Sequence, residues 1–303
     1  MTMHPGAVPS QEATVTEINR GLDLSEVSSV TGPERDQFGA FYTSILGHTH
    51  RGLDYLLEED PAALKRYRHY SNVATPNNYE SERKVFVFGF LPFYAVIGYD
   101  VGVRYLIHTR QRMGLTKAQI LEGIAISFLV MGPAGLETVA RALDGYPWMT
   151  PEKPAEFPEG WAPDPDAFTT GLDFTSPHMS PDELRSVQDW YETTLGEIPP
   201  HVKFLAANRP DLLKAYRQRF ENCVRELPKQ IVPTTLLHYN VIRGSASGIR
   251  GNVLLARAFG VSRELVLNTI GSASLNGIEG FDLVYDSAGD VFADWDAARP
   301  AAG

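Results

Sequence analysis

The feature that most constrains the fold is an internal repeat. Residues 47–61 and 196–210 carry a glycine, an aromatic residue, a leucine and a proline in register, at an offset of 149 residues. Residues 98–104 and 244–250 match at an offset of 146, and a third block around Gly135 matches at 145. Three blocks in the same order indicate that one structural unit has been duplicated.

Both copies carry helix signals and no convincing alternation of apolar and polar residues. Proline in a first helical turn, or a capping box, predicts helix starts at Pro61, Thr116, Ser180 and Pro210. Gly114 and Gly260 are placed to end the preceding helices in a left-handed conformation. The sequence therefore predicts an all-α fold that is a tandem duplication of one helical unit.

The repeats divide the chain into five predicted segments. Residues 1–30 are expected to be a flexible tail, 31–145 the first repeat, 182–290 the second repeat and 291–303 a C-terminal tail. The connecting segment, 146–181, contains eight prolines and excludes regular helix. A pure linker would not need large aromatic residues, so the segment is predicted to pack along the protein surface through five of them, Trp148, Phe157, Trp161, Phe168 and Phe174.

Composition excludes several classes of partner and site. The formal net charge of −10 argues against nucleic-acid or anionic-membrane binding, since both need a basic surface. One cysteine, Cys223, excludes a disulfide or zinc–thiolate cluster within the chain. The longest apolar candidate, residues 85–106, is interrupted by proline and charge, so no membrane span is expected. Without a secretory signal pattern, the expected location is cytoplasmic.

The motif order resembles the carboxymuconolactone decarboxylase/alkylhydroperoxidase D superfamily. The second copy carries it best, through LGEIPPHVKFLAANRPDLLKAYR, ELPKQI and NVLLARAFGVSREL. The resemblance covers roughly 35–145 and 184–290. It implies a two-repeat member of that superfamily and, because single-repeat relatives form cyclic oligomers, a homo-oligomer.

The resemblance does not extend to the residues of the redox motif. Peroxidase members carry Cys-x-x-Cys-x-x-x-His and an upstream glutamate. Those positions correspond here to Val87, Tyr99, Gly102 and Leu106, and to Pro233, Ser245, Gly248 and Asn252. None supplies a thiol, so thiol peroxidase chemistry is rejected. The decarboxylase branch usually keeps the histidine, and its loss argues against strict carboxymuconolactone decarboxylase activity.

A repeated Gly-x-x-x-Gly-[Val/Ile]-Arg block places Arg104 and Arg250 on otherwise apolar helices. A buried arginine needs an anion, from the protein or from a substrate. Asp100, Arg104 and His108 share one helix face, so Arg104 is expected to pair with Asp100. Ala246 stands at the equivalent of Asp100, which would leave Arg250 to bind an anionic ligand. The alternative is an acid from another helix or subunit.

His238 and Tyr239 precede the second block on an unusually polar helix. Histidine carries protons near neutral pH, and tyrosine can stabilise an enolate oxygen. We therefore predict His238 and Tyr239 as catalytic residues, although a histidine held in the core is the simpler interpretation. The predicted substrate-binding residues are Arg250, Ser245, Asn252, Arg104 and His108.

No metal site is predicted. His48 and His50 form a pair without a third ligand. Glu137 and Glu279 lie beside the repeated glycines, where each could act as a base or as a salt-bridge partner.

Two functions remain open from the sequence. The first is a cofactor-independent lyase or isomerase that acts on a small anionic molecule, and the resemblance implies an oxygenated carboxylate or lactone. The second is a non-catalytic binding or assembly module of the same fold.

Overall fold

The computed structural model describes residue 23 and residues 25–46, 51–74 and 87–297. Within these residues the chain forms thirteen α-helices and no β-strand, which confirms the all-α prediction. The helices are α1 (Gly32–Leu46), α2 (Arg51–Glu59), α3 (Pro61–Ala74), α4 (Phe90–Val96), α5 (Asp100–Arg112), α6 (Lys117–Leu143), α7 (Pro181–Leu195), α8 (Pro200–Asn208), α9 (Pro210–Glu221), α10 (Ile231–Ile242), α11 (Ala246–Ala258), α12 (Arg263–Ala273) and α13 (Gly280–Ala297). Single 3-10 turns lie at Val87–Gly89, Pro165–Phe168 and Ser274–Asn276.

The chain forms two compact units, residues 1–78 and residues 79–303, so the division falls inside the predicted first repeat. The first unit contains α1 to α3. Its small core joins Phe38 of α1 to Leu64 of α3, and Val30, Leu56 and Leu57 pack around them.

The second unit is built around α10. This helix is buried along almost its whole length and packs against α4, α6, α11, α12 and α13. A helix with buried residues on all of its faces can be stable in water only when other helices enclose it. Helix α10 therefore forms the centre of the second unit.

Each unit contains the same buried ion pair. Lys65 lies 2.7 Å from Glu34 in the first unit, and Lys214 lies 2.6 Å from Glu183 in the second. The two pairs correspond at the repeat offset of 149 residues, because 34 plus 149 is 183 and 65 plus 149 is 214. The lysine hydrogen bond is the largest of the causes that lower the pKa of each glutamate to about 2. This equivalence extends the repeated pattern upstream of residue 47.

The predicted helix boundaries are confirmed at their caps. Thr116 and Ser180 each form a complete capping box. Gly114 has φ 91° and Gly260 has φ 73°, the left-handed conformation that glycine adopts without a Cβ clash.

Helix α6 is the one helix of the described residues with the length and apolar content of a membrane span. This is weak evidence, since the core helix of a soluble protein has the same character. Gly132, at φ 65° and ψ −174°, interrupts the helical backbone, and Pro133 follows it. A proline inside a helix removes a backbone hydrogen bond, so α6 is kinked there.

The connecting segment contains no α-helix, and its aromatic residues pack against the core of the second unit. Phe168 is completely buried and meets Phe220 and Phe259 edge-on, with ring centroids 4.9 and 5.3 Å away. At the C-terminus, α13 continues to Ala297, well into the segment expected to be a tail.

Candidate functional site

Arg104 and Arg250 occupy the same position, the fifth residue, of helices α5 and α11. The Nη1 group of Arg104 approaches the carbonyl oxygen of Ala142 at 3.4 Å, and that of Arg250 donates to the carbonyl oxygen of Ser287 at 2.9 Å. Ala142 and Ser287 are 145 residues apart, which is the offset of the third repeated block. The two arginines therefore make equivalent backbone contacts.

Arg250 is fully engaged by the protein. It donates two hydrogen bonds of 2.8 Å to the carboxylate of Glu197, and its Nη1 lies 2.8 Å from Oδ1 of Asp290. The hydrogen bonds to Glu197 and then Asp290 raise the pKa of Arg250 above its usual range. The prediction that Arg250 is left for an anionic ligand is wrong, because acids from other helices and loops supply its anions.

Arg104 has no salt bridge with any residue that the structure describes, and Asp100 does not pair with it. Asp100 begins α5, and its Oδ1 accepts a hydrogen bond from the backbone N–H of Val101 at 2.9 Å. Arg104 is exposed, approaches the carbonyls of Ala142 and Asp144 at 3.4 Å, and lies 5.3 Å from the Tyr146 ring centroid. The expected pairing of the two arginines is thus reversed: Arg250 is paired with acids of the protein, and Arg104 has no salt bridge among the described residues.

His108 lies one helical turn after Arg104 and one turn before Arg112 on α5. It is half-buried, whereas both arginines are exposed. Burial lowers the pKa of the imidazole, and the positive charges of Arg112 and Arg104 lower it further. His108 is therefore neutral at neutral pH and is flanked by two permanent cations. We call the surface formed by Arg104, His108 and Arg112 the α5 face.

Leu106 and Asn252, the positions that the resemblance assigns to a histidine, hold structural side chains. Leu106 is buried in the core, and it lies about 200° around the helix from His108, at about 100° per residue. Asn252 donates from Nδ2 to the carbonyl oxygen of Gly248 at 2.7 Å, one turn back on its own helix. Neither side chain can take the histidine's place in proton transfer.

His238 is completely buried on α10. Its ring centroid is 4.3 Å from that of Phe90, and a Cβ added at Gly89 would lie 2.8 Å from the histidine Cβ. Burial lowers the pKa of His238 to about 3, and a hydrogen bond with the Gly89 backbone only partly opposes this. His238 is thus a neutral core residue, and the missing Cβ of Gly89 allows α10 to pack closely against the turn before α4.

The other predicted residues of the second copy are not gathered around His238 at an open site. Tyr239 is buried, with 8% of its surface exposed. Ser245 caps α11 by accepting a hydrogen bond from the N–H of Gly248 at 3.3 Å. Asn240, which sequence reasoning did not single out, donates to the Leu236 carbonyl at 2.8 Å. Capping and helix packing account for the polarity of this region.

The remaining candidates are two histidines and two glutamates. His48 and His50 lie outside the described residues. Across residues 87–297, Glu137 and Glu279 form no salt bridge with either arginine. Among the described residues, no three His, Cys, Asp or Glu side chains lie together as metal ligands.

Cys223 is buried, and its Sγ lies 2.9 Å from the carbonyl oxygen of Phe220. Burial, with a smaller contribution from Glu122, raises the pKa of the thiol to about 12. The thiolate that peroxide reduction requires is therefore negligible at neutral pH.

No protein-family model and no curated protein matches the sequence. Among solved structures, the chain is similar to a candidate gamma-carboxymuconolactone decarboxylase subunit from Burkholderia xenovorans LB400, solved at 1.70 Å resolution. The match has a TM-score of 0.54 and 18% sequence identity, and it covers 89% of this chain and 100% of the other. The chain therefore has a carboxymuconolactone decarboxylase-like fold, and identity at this level shows the fold alone.

Proposed function

We propose that this protein is a cofactor-independent lyase or isomerase of the carboxymuconolactone decarboxylase type. Its substrate would be a small oxygenated carboxylate or lactone bound on the α5 face. The observation that carries the proposal is the half-buried, neutral His108 between Arg104 and Arg112. The likeness of fold supports the class of enzyme.

The chemistry follows from the charges. The guanidinium of Arg104, without a carboxylate partner among the described residues, would hold the substrate carboxylate through paired hydrogen bonds. His108 would take a proton from the carbon beside the carbonyl group, because its imidazole is neutral and basic. The two arginines would stabilise the negative charge of the resulting enolate. Return of the proton to another carbon completes an isomerisation without a cofactor.

Under this proposal the predicted site residues of the second copy have structural roles. Arg250 would anchor α11 through Glu197 and Asp290, while Ser245 and Asn252 stabilise the same helix. His238 and Tyr239 would shape the core behind the site and would not exchange protons with the substrate.

Activity can be screened by incubating the purified protein with small carboxylates and lactones in D2O and following deuterium incorporation by NMR. We expect Arg104→Lys to weaken substrate binding roughly 10- to 100-fold, since it removes the paired hydrogen bonds. His108→Gln should lower turnover about 10²- to 10⁴-fold. Full activity in both variants, with loss in Arg250→Lys at unchanged stability, would refute the assignment to α5.

A second candidate is a non-catalytic binding or assembly module of the same fold. Two observations favour it. Arg250 already binds two carboxylates of the protein, and His238 is buried in the core, so both residues have structural roles. Absence of turnover across the substrate panel, together with saturable binding of a carboxylate that Arg104→Lys weakens, would select this candidate.

We further propose that the two sets of helices arose by tandem duplication. The equivalent Lys–Glu pairs and the equivalent arginine–carbonyl contacts support this. Homo-oligomerisation, a cytoplasmic location and the absence of nucleic-acid and membrane partners remain predictions.

A further inference from the structure

The connecting segment and the end of α9 line a half-open cavity of about 230 Å³. Pro165, Asp166 and Phe174 line it from the connecting segment. Glu221, Val224 and Arg225 line it from α9 and the turn that follows. None of these residues belongs to the α5 face, so the cavity is separate from the proposed catalytic site.

The two walls are held together by a buried network centred on Glu221. Its Oε1 accepts hydrogen bonds from Thr170 Oγ1 at 2.5 Å and from Arg217 Nε at 3.2 Å, and its Oε2 accepts from the Thr170 backbone N–H at 3.2 Å. Arg217 also donates to the carbonyl of Phe168 at 2.5 Å. The charge of Glu221 is thereby balanced, and the cavity is formed before any ligand binds.

Besides Glu221, two charged residues line the cavity, Asp166 and Arg225. Asp166 and Arg225 are both exposed, and neither forms a salt bridge, with the other or with any residue in the described part of the chain. Three apolar residues, Phe174, Pro165 and Val224, line the same cavity. Apart from Glu221, which is paired with Arg217, the cavity lining thus contains one carboxylate, one guanidinium and apolar side chains.

We infer that this cavity binds a small zwitterion whose carboxylate and protonated amine are separated by an apolar body the size of one ring. Arg225 would hold the carboxylate by paired hydrogen bonds, and Asp166 would accept from the ammonium group. The body would pack on Phe174. A simple anion would face Asp166 and a simple cation would face Arg225, so each leaves one charge unmatched. The volume is below the roughly 300–1,000 Å³ of drug-sized pockets, which fits a single-ring molecule.

The inference also explains the composition of the connecting segment. Prolines keep this wall free of α-helix, and Phe168 at the end of its 3-10 turn fastens the wall to the core. Phe174, further along the same segment, lines the cavity and is only partly buried.

The test uses 4-(aminomethyl)benzoate as the probe, with 4-methylbenzoate and 4-methylbenzylamine as matched compounds that each lack one charge. Binding to the full chain is measured by calorimetry and by ligand-observed NMR. We expect saturable binding of the zwitterion and at least tenfold weaker binding of either matched compound. Arg225→Met and Asp166→Asn should each weaken zwitterion binding roughly 10- to 100-fold.

Arg104→Met is the control, because it alters the α5 face and leaves the cavity intact; its affinity for the zwitterion should equal that of the wild type. Both cavity residues are exposed, so their variants should fold, and circular dichroism and thermal melting verify this. Absence of saturable binding at millimolar probe overturns the inference. So does wild-type affinity in both cavity variants, or loss of affinity in Arg104→Met.

Discussion

The burial of His238 predicts a specific dependence of stability on pH. In the folded protein, burial lowers the pKa of His238 to about 3 from its ordinary value of 6.5. Below about pH 6.5 the His238 side chain of the unfolded protein binds a proton that the folded protein cannot accept. The contribution of neutral His238 to the free energy of unfolding is therefore complete above about pH 6.5 and is lost progressively as the pH falls toward 3.

The magnitude follows from linkage. Each pH unit below 6.5 costs about 1.4 kcal/mol while the folded histidine stays neutral. At about pH 5 the loss assigned to His238 is therefore about 2 kcal/mol. Glu34 and Glu183 have pKa values of about 2. Their contribution to stability is lost only as the pH falls below 4.5, which lies outside the range from about pH 7 to about pH 5. His108 and His201 also have lowered pKa values and act in the same direction.

The assay is urea unfolding of the wild type and of His238→Leu, at about pH 7 and about pH 5. Leucine removes the titrating group and leaves His108 and His201 in place, so the difference between the two proteins isolates His238. We expect the wild type to lose about 2 kcal/mol more than the variant between the two pH values. The two proteins should respond alike between about pH 8 and pH 7, where histidine is neutral in both states.

The reasoning is refuted if both proteins lose the same stability between about pH 7 and about pH 5. An equal loss would mean that the imidazole of His238 is protonated in the folded protein, and hence that water or an acid reaches it.

Three further changes test other parts of the account. Arg217→Met should lower the free energy of unfolding by about 3–5 kcal/mol in urea titration, because it leaves the buried carboxylate of Glu221 without its cation. Gly123→Ala, which would stabilise an exposed helix, should instead destabilise by about 1–3 kcal/mol, since the new methyl group overlaps the ring of Phe88; a raised melting temperature would contradict this packing. Cys223→Ala should leave any peroxide reduction with a dithiol unchanged, because the thiol is buried and protonated; activity that disappears in the variant would reinstate thiol chemistry.

Local signals in the sequence predicted the helices well. Thr116 and Ser180 form capping boxes, and Gly114 and Gly260 end helices with positive φ, because these interactions involve neighbours within a few residues. The kink at Gly132–Pro133 was missed, although a proline after glycine inside a predicted helix is a local signal for it.

Pairing over long distances could not be predicted. Glu197 and Asp290 lie 53 and 40 residues from Arg250 in the sequence, and nothing in their spacing indicates that they meet it. Asp100 was expected to neutralise Arg104 because the two are four residues apart, yet the first residue of a helix more readily satisfies backbone N–H groups. Arg112, four residues after His108, completes the α5 face and could have been found from helical spacing alone.

The cavity depended on tertiary structure in the same way. Five aromatic residues predicted that the connecting segment packs against the protein, and they do pack against the core. The sequence gives no indication that Asp166 and Arg225 line the same cavity, since 59 residues separate them along the chain and only the packing of the connecting segment on the end of α9 brings both to it.

The central claim is that the α5 face binds an anion beside a neutral imidazole. The most direct measurement is the pKa of His108, followed by NMR of the side chain with and without a small dicarboxylate such as maleate. An anion held by Arg104 offsets the cations that lower the pKa, so we predict that the pKa rises on binding. The rise should be absent in Arg104→Met. A His108 pKa that maleate leaves unchanged in the wild type would contradict the claim.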